Sequence, residues 1–281
     1  MKEKIGVVDV GGGLRGAYAA GVLDYCLDNN IIFDLGIGVS AGSANLVSYA
    51  AGQVRRNLRY YTEYALRKEY MSLGNFIKTG SYIDLDYVYS ILSNSSGENP
   101  LDYPALKKSG TELFVVAAEA ETGNVKYFSK EDIHQDGYDI FKASSAIPFV
   151  CKPYPVEGVF YYDGAIGDPV PIEKAFAEGC DKVVLLLTMP EDELRSPKRD
   201  IKLAKRIRKK YPLAAKALEQ RAENYNLSVK AAKKYQKEGK LFIIAPDNTC
   251  GVKTLSKNRD NIRNLYEKGY RDGAKIKDFL Q

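Results

Sequence analysis

The sequence predicts an α/β fold built on a large, mainly parallel sheet. Short runs rich in Val and Ile alternate with longer stretches of helical periodicity, and the alternation begins at the amino end of the chain. Parallel strands need crossovers, so the order strand, helix, strand, helix places helices on the faces of the sheet. At 281 residues the chain can bury an ample core without disulfide or metal staples.

The same patterns place the individual elements. Strands and helices alternate first, with strands predicted over residues 5–10 and 33–39 and helices over residues 16–27 and 41–51. Further strands are predicted over residues 112–118, 125–128, 159–162, 182–188 and 241–244. A Tyr-rich stretch at residues 55–103 separates the two groups; we interpret its aromatic residues as packing residues, with a lid over a site as the alternative.

A change of composition after Pro190 divides the chain. Residues 191–281 are polar and mainly helical, with breaks at Pro197 and Pro212 and a closing helix over about residues 257–280. We therefore predict one domain over residues 1–190 and a basic, mainly helical extension over residues 191–281. The strand at residues 241–244 is expected to return to the main sheet.

Composition excludes several classes of site. The sequence has one histidine, His134, which excludes HExxH zinc hydrolases and multi-histidine metal sites. This residue lies in a polar stretch typical of a surface loop. The four cysteines are far apart and form no CxxC pair, so we interpret them as reduced thiols of a cytoplasmic protein. We expect no metal and no organic cofactor.

The charge of the chain is concentrated in one region. Residues 191–240 hold 16 Lys and Arg against 7 Asp and Glu, within a chain of net charge +5. Two interpretations stay open, a solvated helical face and a surface that attracts anionic phospholipid headgroups. No nucleic-acid-binding motif accompanies the charge, so we expect no nucleic-acid partner. The longest apolar run, residues 183–189, is shorter than the ~18 residues that a membrane span needs.

A glycine-rich loop follows the first strand. Gly11, Gly12 and Gly13 allow a tight turn that points several N–H groups into one space ahead of a helix, which suits an oxyanion or a phosphate. Gly11, Gly13 and Gly16 also spell the GxGxxG of dinucleotide-binding proteins. That interpretation requires an acidic residue at the end of the second strand, where the sequence has Ser40 instead. A tight turn without a ligand is the third interpretation.

The second strand leads into Gly38-Val39-Ser40-Ala41-Gly42, a GxSxG motif followed by a helix of small residues. Strand, sharp turn and helix are the context in which this motif exposes a nucleophilic serine, and the flanking Gly38 and Gly42 keep Cβ atoms out of the turn. The serine needs a base. Asp163, in Asp163-Gly164-Ala165, is a candidate, expected at the carboxyl end of a parallel strand where desolvation can raise its pKa.

Together the three motifs resemble the patatin-like phospholipases, which share a glycine-rich oxyanion loop, a GxSxG nucleophile and an Asp-Gly base. The residues around Ala143 to Pro148 are similar as well, and the resemblance covers about residues 5–190. It implies a three-layer α/β/α sandwich and a catalytic dyad of Ser40 and Asp163. It also implies an oxyanion hole formed by the loop, with Gly11, Gly12, Gly13 and Arg15 as its residues.

The resemblance therefore implies a serine esterase that cleaves acyl esters of lipids, of the phospholipase A or acyl hydrolase type, through an acyl-serine intermediate. Three alternatives stay open. One is a lipid-surface binding module with little catalysis, one is an acyltransferase that uses the same dyad, and one is a nucleotide-binding oxidoreductase. We expect a cytoplasmic protein, with peripheral contact to an anionic membrane as the open alternative for its basic region; acyl length, headgroup and oligomeric state are not encoded in any motif.

Overall fold

The computed structural model describes residues 3–280, which form one eight-stranded sheet with helices on both faces. The strands are β1 (Ile5–Asp9), β2 (Leu35–Val39), β3 (Glu112–Glu119), β4 (Val125–Ser129), β5 (Tyr154–Val156), β6 (Val159–Asp163), β7 (Lys182–Leu186) and β8 (Leu241–Ile244). Their order is β5-β6-β3-β2-β1-β7-β8, with β4 also on β3. The run from β3 to β8 is parallel, which confirms the predicted α/β class.

Helices cover both faces and complete a three-layer α/β/α arrangement. They are α1 (Ala17–Asp28), α2 (Ala41–Ala50), α3 (Arg56–Thr62), α4 (Leu73–Thr79), α5 (Tyr103–Lys108), α6 (Asp139–Ser144), α7 (Ile172–Ala177), α8 (Lys198–Ile207), α9 (Pro212–Lys237), α10 (Arg259–Asp272) and α11 (Ile276–Leu280). Side chains alternate across β1, so Val7 packs with α1, α2 and α10, whereas Val8 packs with α7 and α9.

The edge of β3 explains how two distant parts of the chain meet. β4 pairs antiparallel with residues 114–118 along one edge of this strand. β2 pairs with residues 112–116 and β6 with residues 117–119, so both lie on the other edge, one after the other. β2 is parallel to β3 and β6 is antiparallel, and the two therefore run toward each other. Val39 lies opposite Val116 and Asp163 lies opposite Ala117, which brings their carboxyl ends together.

The C-terminal region adds to the same sheet and to both helical layers. β8 extends the sheet by pairing in parallel with β7, as the sequence predicts. α10 crosses α1 at two glycines that allow the backbones to approach closely. A Cβ on Gly269 would lie 1.9 Å from the carbonyl oxygen of Tyr18, and one on Gly21 would lie 2.1 Å from that of Tyr266. A division of the chain at residue 190 stays a prediction.

The Tyr-rich stretch forms short helices that pack on one side of the site. Arg56 holds it in place, because its buried guanidinium donates to Ser48 Oγ at 2.8 Å, Ser93 Oγ at 2.9 Å and the carbonyl of Asn99 at 2.9 Å. Helix α4 differs from its neighbours, since it has no buried residue. The tyrosines of this stretch that are buried in the core are Tyr61, Tyr64, Tyr70, Tyr87 and Tyr89.

No helix within residues 3–280 combines the length and the hydropathy needed to cross a bilayer.

Candidate active site

Ser40 lies on a sharp turn between β2 and α2. Its backbone has φ 56° and ψ −127°, a left-handed conformation that is strained for a non-glycine residue and is typical of a nucleophile elbow. Both flanking glycines are required by close packing. A Cβ on Gly38 would lie 2.4 Å from Ser43 Cα, and one on Gly42 would lie 2.3 Å from the carbonyl oxygen of Asp9. Strain and packing together hold the Ser40 side chain at the carboxyl edge of the sheet.

Asp163 ends β6 at the same level as Ser40. Ser40 and Asp163 line the same cleft, and the Ala165 N–H donates to Asp163 Oδ1 at 2.9 Å. The expectation that Asp163 follows a parallel strand is wrong, because β6 is antiparallel to both β3 and β5. It reaches the carboxyl edge of the sheet because β3 extends past the end of β2 and offers β6 the free edge.

The segment from Ala143 to Pro148 joins the two residues. The N–H of Ser40 donates to Ser144 Oγ at 2.9 Å, and the N–H of Asp163 donates to the carbonyl of Ala146 at 3.0 Å. This short stretch therefore fixes the backbones that carry the hydroxyl and the carboxylate. The sequence singles it out only by its likeness to a family segment, whereas the structure gives it a physical role.

The glycine loop lies against the elbow. Gly11, Gly12 and Gly13 have φ of 64°, 124° and 62°, values that favour glycine at all three positions. The Gly11 N–H donates to Asp9 Oδ1 at 2.9 Å and is thereby committed within the loop. Gly13 and Ala41 are the first residues of their helical segments, so their N–H groups have no acceptor within those helices.

A buried polar network supports the loop and the elbow. Asp9 is fully buried, and its carboxylate accepts from the Gly11 N–H and, at 2.9 Å, from Asn45 Nδ2. Asn45 also donates to the carbonyl of Gly16 at 3.1 Å and accepts from Tyr61 Oη at 3.1 Å. Burial raises the pKa of Asp9 to about 6. The only sequence signal for this role is an acidic residue at the end of an apolar strand.

Thr254, far along the chain, braces the other side of the loop. Its carbonyl accepts from the Leu14 N–H at 3.0 Å, and its hydroxyl accepts from Arg15 Nη1 at 3.0 Å. A Cβ on Gly13 would lie 2.4 Å from the same carbonyl oxygen. The C-terminal region therefore shapes the loop directly, which no motif in the sequence indicates.

A cleft brings these groups together with arginines from the basic region. Its lining includes Ser40, Asp163, Gly12 and Gly13, together with four arginines that we call the arginine cluster: Arg15, Arg195, Arg199 and Arg221. Burial raises the pKa of Asp163, while the Ser40 side chain, the Ala165 amide and the charges of Arg221 and Arg195 act in the opposite direction. Sequence reasoning missed the last three arginines because the position of a basic residue along the chain does not show where its side chain points.

Other candidate groups lie away from this cleft. His134 is exposed in the loop between β4 and α6 and is not part of the cleft lining. All four cysteines are free thiols, and three of them are buried. Within the described part of the chain, no group of three or more His, Cys, Asp and Glu side chains is arranged to hold a metal ion.

Comparison with known proteins agrees with this geometry. The sequence pattern of the family described as patatin-like phospholipase matches residues 10–176, more than half of the chain. The chain belongs to the patatin-like phospholipase family. This confirms the resemblance predicted from the three motifs. A second family, described as a domain of unknown function (DUF6363), matches residues 211–281 of this patatin-like chain.

Two individual proteins are similar to this family member. The uncharacterized protein YjjU of Escherichia coli (strain K12) is 30% identical over 199 residues, which cover 69% of this chain and 54% of that protein. This chain thus spans about half the length of that curated relative. The crystal structure of VipD from Legionella pneumophila aligns with 99% of this chain and 67% of its own, at a TM-score of 0.50 and 14% identity. At that identity the likeness bears on the fold.

Proposed function

We propose that this protein is a serine esterase that cleaves acyl ester bonds of lipids with Ser40 as nucleophile and Asp163 as general base. The observation that carries the proposal is that Ser40, on a strained turn beside a glycine loop, lines the same cleft as the buried Asp163 carboxylate. Membership of the patatin-like phospholipase family supports a lipid ester as the substrate class.

The proposed reaction has two steps. Ser40 Oγ attacks the ester carbonyl carbon while Asp163 accepts the hydroxyl proton. The bond to the alcohol oxygen then breaks, and the departing alcohol takes that proton, leaving an acyl-serine. Water then attacks the acyl carbon and gives a proton to Asp163. The bond between that carbon and Ser40 Oγ breaks, Ser40 Oγ takes this proton from Asp163, and the fatty acid is released.

The oxyanion formed in each step requires hydrogen-bond donors. We assign this role to the N–H groups of Gly12 and Gly13, because that of Gly11 is committed to Asp9. Each donor of this kind stabilises the transition state by about 2.7–4 kcal/mol. Arg15 supports the loop through its hydrogen bond to Thr254.

The proposal is tested with Ser40→Ala and Asp163→Asn. A fluorophosphonate should label the wild type at Ser40, as mapped by peptide mass. Asp163→Asn should lower kcat on a soluble acyl ester by about 10²–10⁴-fold, the usual contribution of a general base. Ser40→Ala should abolish both labelling and turnover.

His134→Ala is the matched control, because it removes the one imidazole without touching the cleft. Its kcat is expected to equal that of the wild type. Near wild-type turnover in Ser40→Ala or Asp163→Asn, with circular dichroism showing intact folds in all variants, would refute the dyad. A wild type that binds phospholipid vesicles but is neither labelled nor active would instead favour the lipid-binding alternative.

We also propose that the protein contacts an anionic membrane through a surface beside the cleft. On helix α4, Leu73 is 73% exposed and Ile77 is 85% exposed. The ring centroids of Phe76, on the same helix, and Phe149 are 6.4 Å apart. The Arg206 guanidinium stacks 4.1 Å from the Phe149 centroid. Exposed apolar side chains flanked by cations suit an interface with anionic lipid headgroups.

A further inference from the structure

The arginine cluster concentrates positive charge in the cleft that holds Ser40 and Asp163. Its members come from four places in the chain: the glycine loop, the loop before α8, α8 itself and α9. Arg221 pairs with the buried Asp200 through Nε at 3.0 Å. Within residues 3–280, no carboxylate lies at ion-pairing distance from the other three arginines.

Arg15 has unused hydrogen-bonding capacity. The Nε–H of Arg15 is buried and has no acceptor among the described residues. Burial, followed by the charge of Arg195, lowers the pKa of Arg15 to about 10, and Arg199 acts in the same direction. A buried donor without a partner and mutual repulsion between cations are both unfavourable, and a bound anion would relieve both.

Arg195 is held in place by its surroundings. The Arg195 guanidinium stacks 3.8 Å from the centroid of the Tyr225 ring, and Asn226 bonds both the N–H and the carbonyl of Arg195 at 2.9 and 3.1 Å. A guanidinium fixed in this way loses little side-chain entropy when it binds a ligand. The charges of Arg221 and Arg195 already act on the Asp163 carboxylate, so a bound anion would lie close to the reacting groups.

We propose that Arg195, Arg199 and Arg221, together with Arg15, form a subsite for the phosphate group of the substrate. This rests on the proposed esterase function. It assigns selectivity for acyl esters that carry a phosphate near the scissile bond, as in phospholipids and acylglycerol phosphates, to arginines of which three lie outside the family-matched residues 10–176. Planar guanidinium forks match phosphate oxygens in geometry as well as charge.

The neighbouring groove fits the rest of such a molecule. Arg199 and Leu203 line both the cleft and an open groove whose other residues are mainly apolar. An amphiphile with its phosphate among the arginines can therefore place its acyl chain along these apolar side chains. The apolar and aromatic residues of the groove are Leu73, Phe76, Tyr82, Phe149, Val150, Leu203 and Leu255.

Binding is tested by calorimetry with glycerol 3-phosphate, which carries the phosphate but no ester. The wild type should bind it, and Arg199→Gln and Arg195→Gln should each weaken binding about tenfold, the value of one lost charge-assisted contact. Arg199 is exposed, so its variant is expected to fold even if Arg195→Gln does not. Lys205→Gln is the matched control, because it removes the same charge from α8 outside the cleft and should leave binding unchanged.

A kinetic comparison places the subsite in the reaction. The wild type should have a higher kcat/KM for an acylglycerol phosphate than for the monoacylglycerol with the same acyl chain, and Arg199→Gln should reduce the ratio of the two values about tenfold. Inorganic phosphate provides the second arm. Binding of inorganic phosphate as tight as that of glycerol 3-phosphate, without preference for the phosphorylated ester, would show a free-phosphate site and overturn the proposal.

The remaining outcomes separate the two proposals. No binding of glycerol 3-phosphate by the wild type, or equal weakening by Lys205→Gln, overturns the subsite whatever the activity. Equal kcat/KM for both esters overturns the subsite and leaves the esterase in place. Binding that depends on Arg199 in a protein that hydrolyses neither ester supports the anion site and overturns the esterase.

Discussion

Burial of individual carboxyl groups governs how the proposed dyad responds to pH. Burial raises the pKa of Asp163 above 3.8, and the charges of Arg221 and Arg195 partly oppose that shift. A general base must be ionised, so kcat/KM should fall as the pH drops through the raised pKa and should reach a plateau above it. Arg195→Gln removes one of the opposing charges. We therefore expect its acid limb to lie at higher pH than that of the wild type, measured as kcat/KM against pH on a neutral ester.

A second buried carboxyl group requires a control. The pKa of Asp9 is also raised by burial, to about 6, so protonation of this group would produce an acid limb of its own. Asp9→Asn keeps the shape of the side chain and removes the titration. If the midpoint of the acid limb of kcat/KM is unchanged in Asp9→Asn and rises in Arg195→Gln, the acid limb belongs to Asp163. A midpoint that Arg195→Gln leaves in place would contradict the assignment.

At the scale of elements, the exposed helix α4 provides the test of membrane contact. The double variant Leu73→Ser/Ile77→Ser should weaken sedimentation with phosphatidylglycerol vesicles by about tenfold or more, because each apolar side chain buried in lipid contributes about 1.5–3 kcal/mol. Ile32→Ser is the control, since Ile32 is 60% exposed before β2, away from the cleft, and should leave binding unchanged. Equal binding of the double variant and the wild type would argue against α4 as the contact.

At the scale of the whole molecule, the two matched families share one sheet. Removing residues 191–281 would expose the edge of β7 that β8 covers and would remove α10 from its glycine contact with α1. Thr254 would no longer brace the glycine loop. We therefore expect residues 1–190 alone to aggregate, whereas the full chain should unfold in a single transition seen alike by tyrosine fluorescence and far-UV circular dichroism. A monomeric, cooperatively melting 1–190 fragment would show that the predicted domain folds independently.

Local patterns in the sequence were enough to predict the fold class and to single out Ser40 and Asp163. Periodicity and glycine spacing are local properties, so they can be recognised before folding, and the predicted strands appear with ends shifted by at most two residues. The short edge strand β5 was missed, because three residues with a central proline show no usable alternation.

How those residues meet depends on contacts between distant parts of the chain. The serine and the aspartate lie 123 positions apart in the chain, and their contact depends on β2 and β6 sharing one edge of β3 from opposite directions. Arg195, Arg199, Arg221 and Thr254 reach the same cleft from the C-terminal region. Such contacts are made between residues that are far apart in sequence, and no local pattern encodes them, because they form only when the sheet and its helical layers assemble.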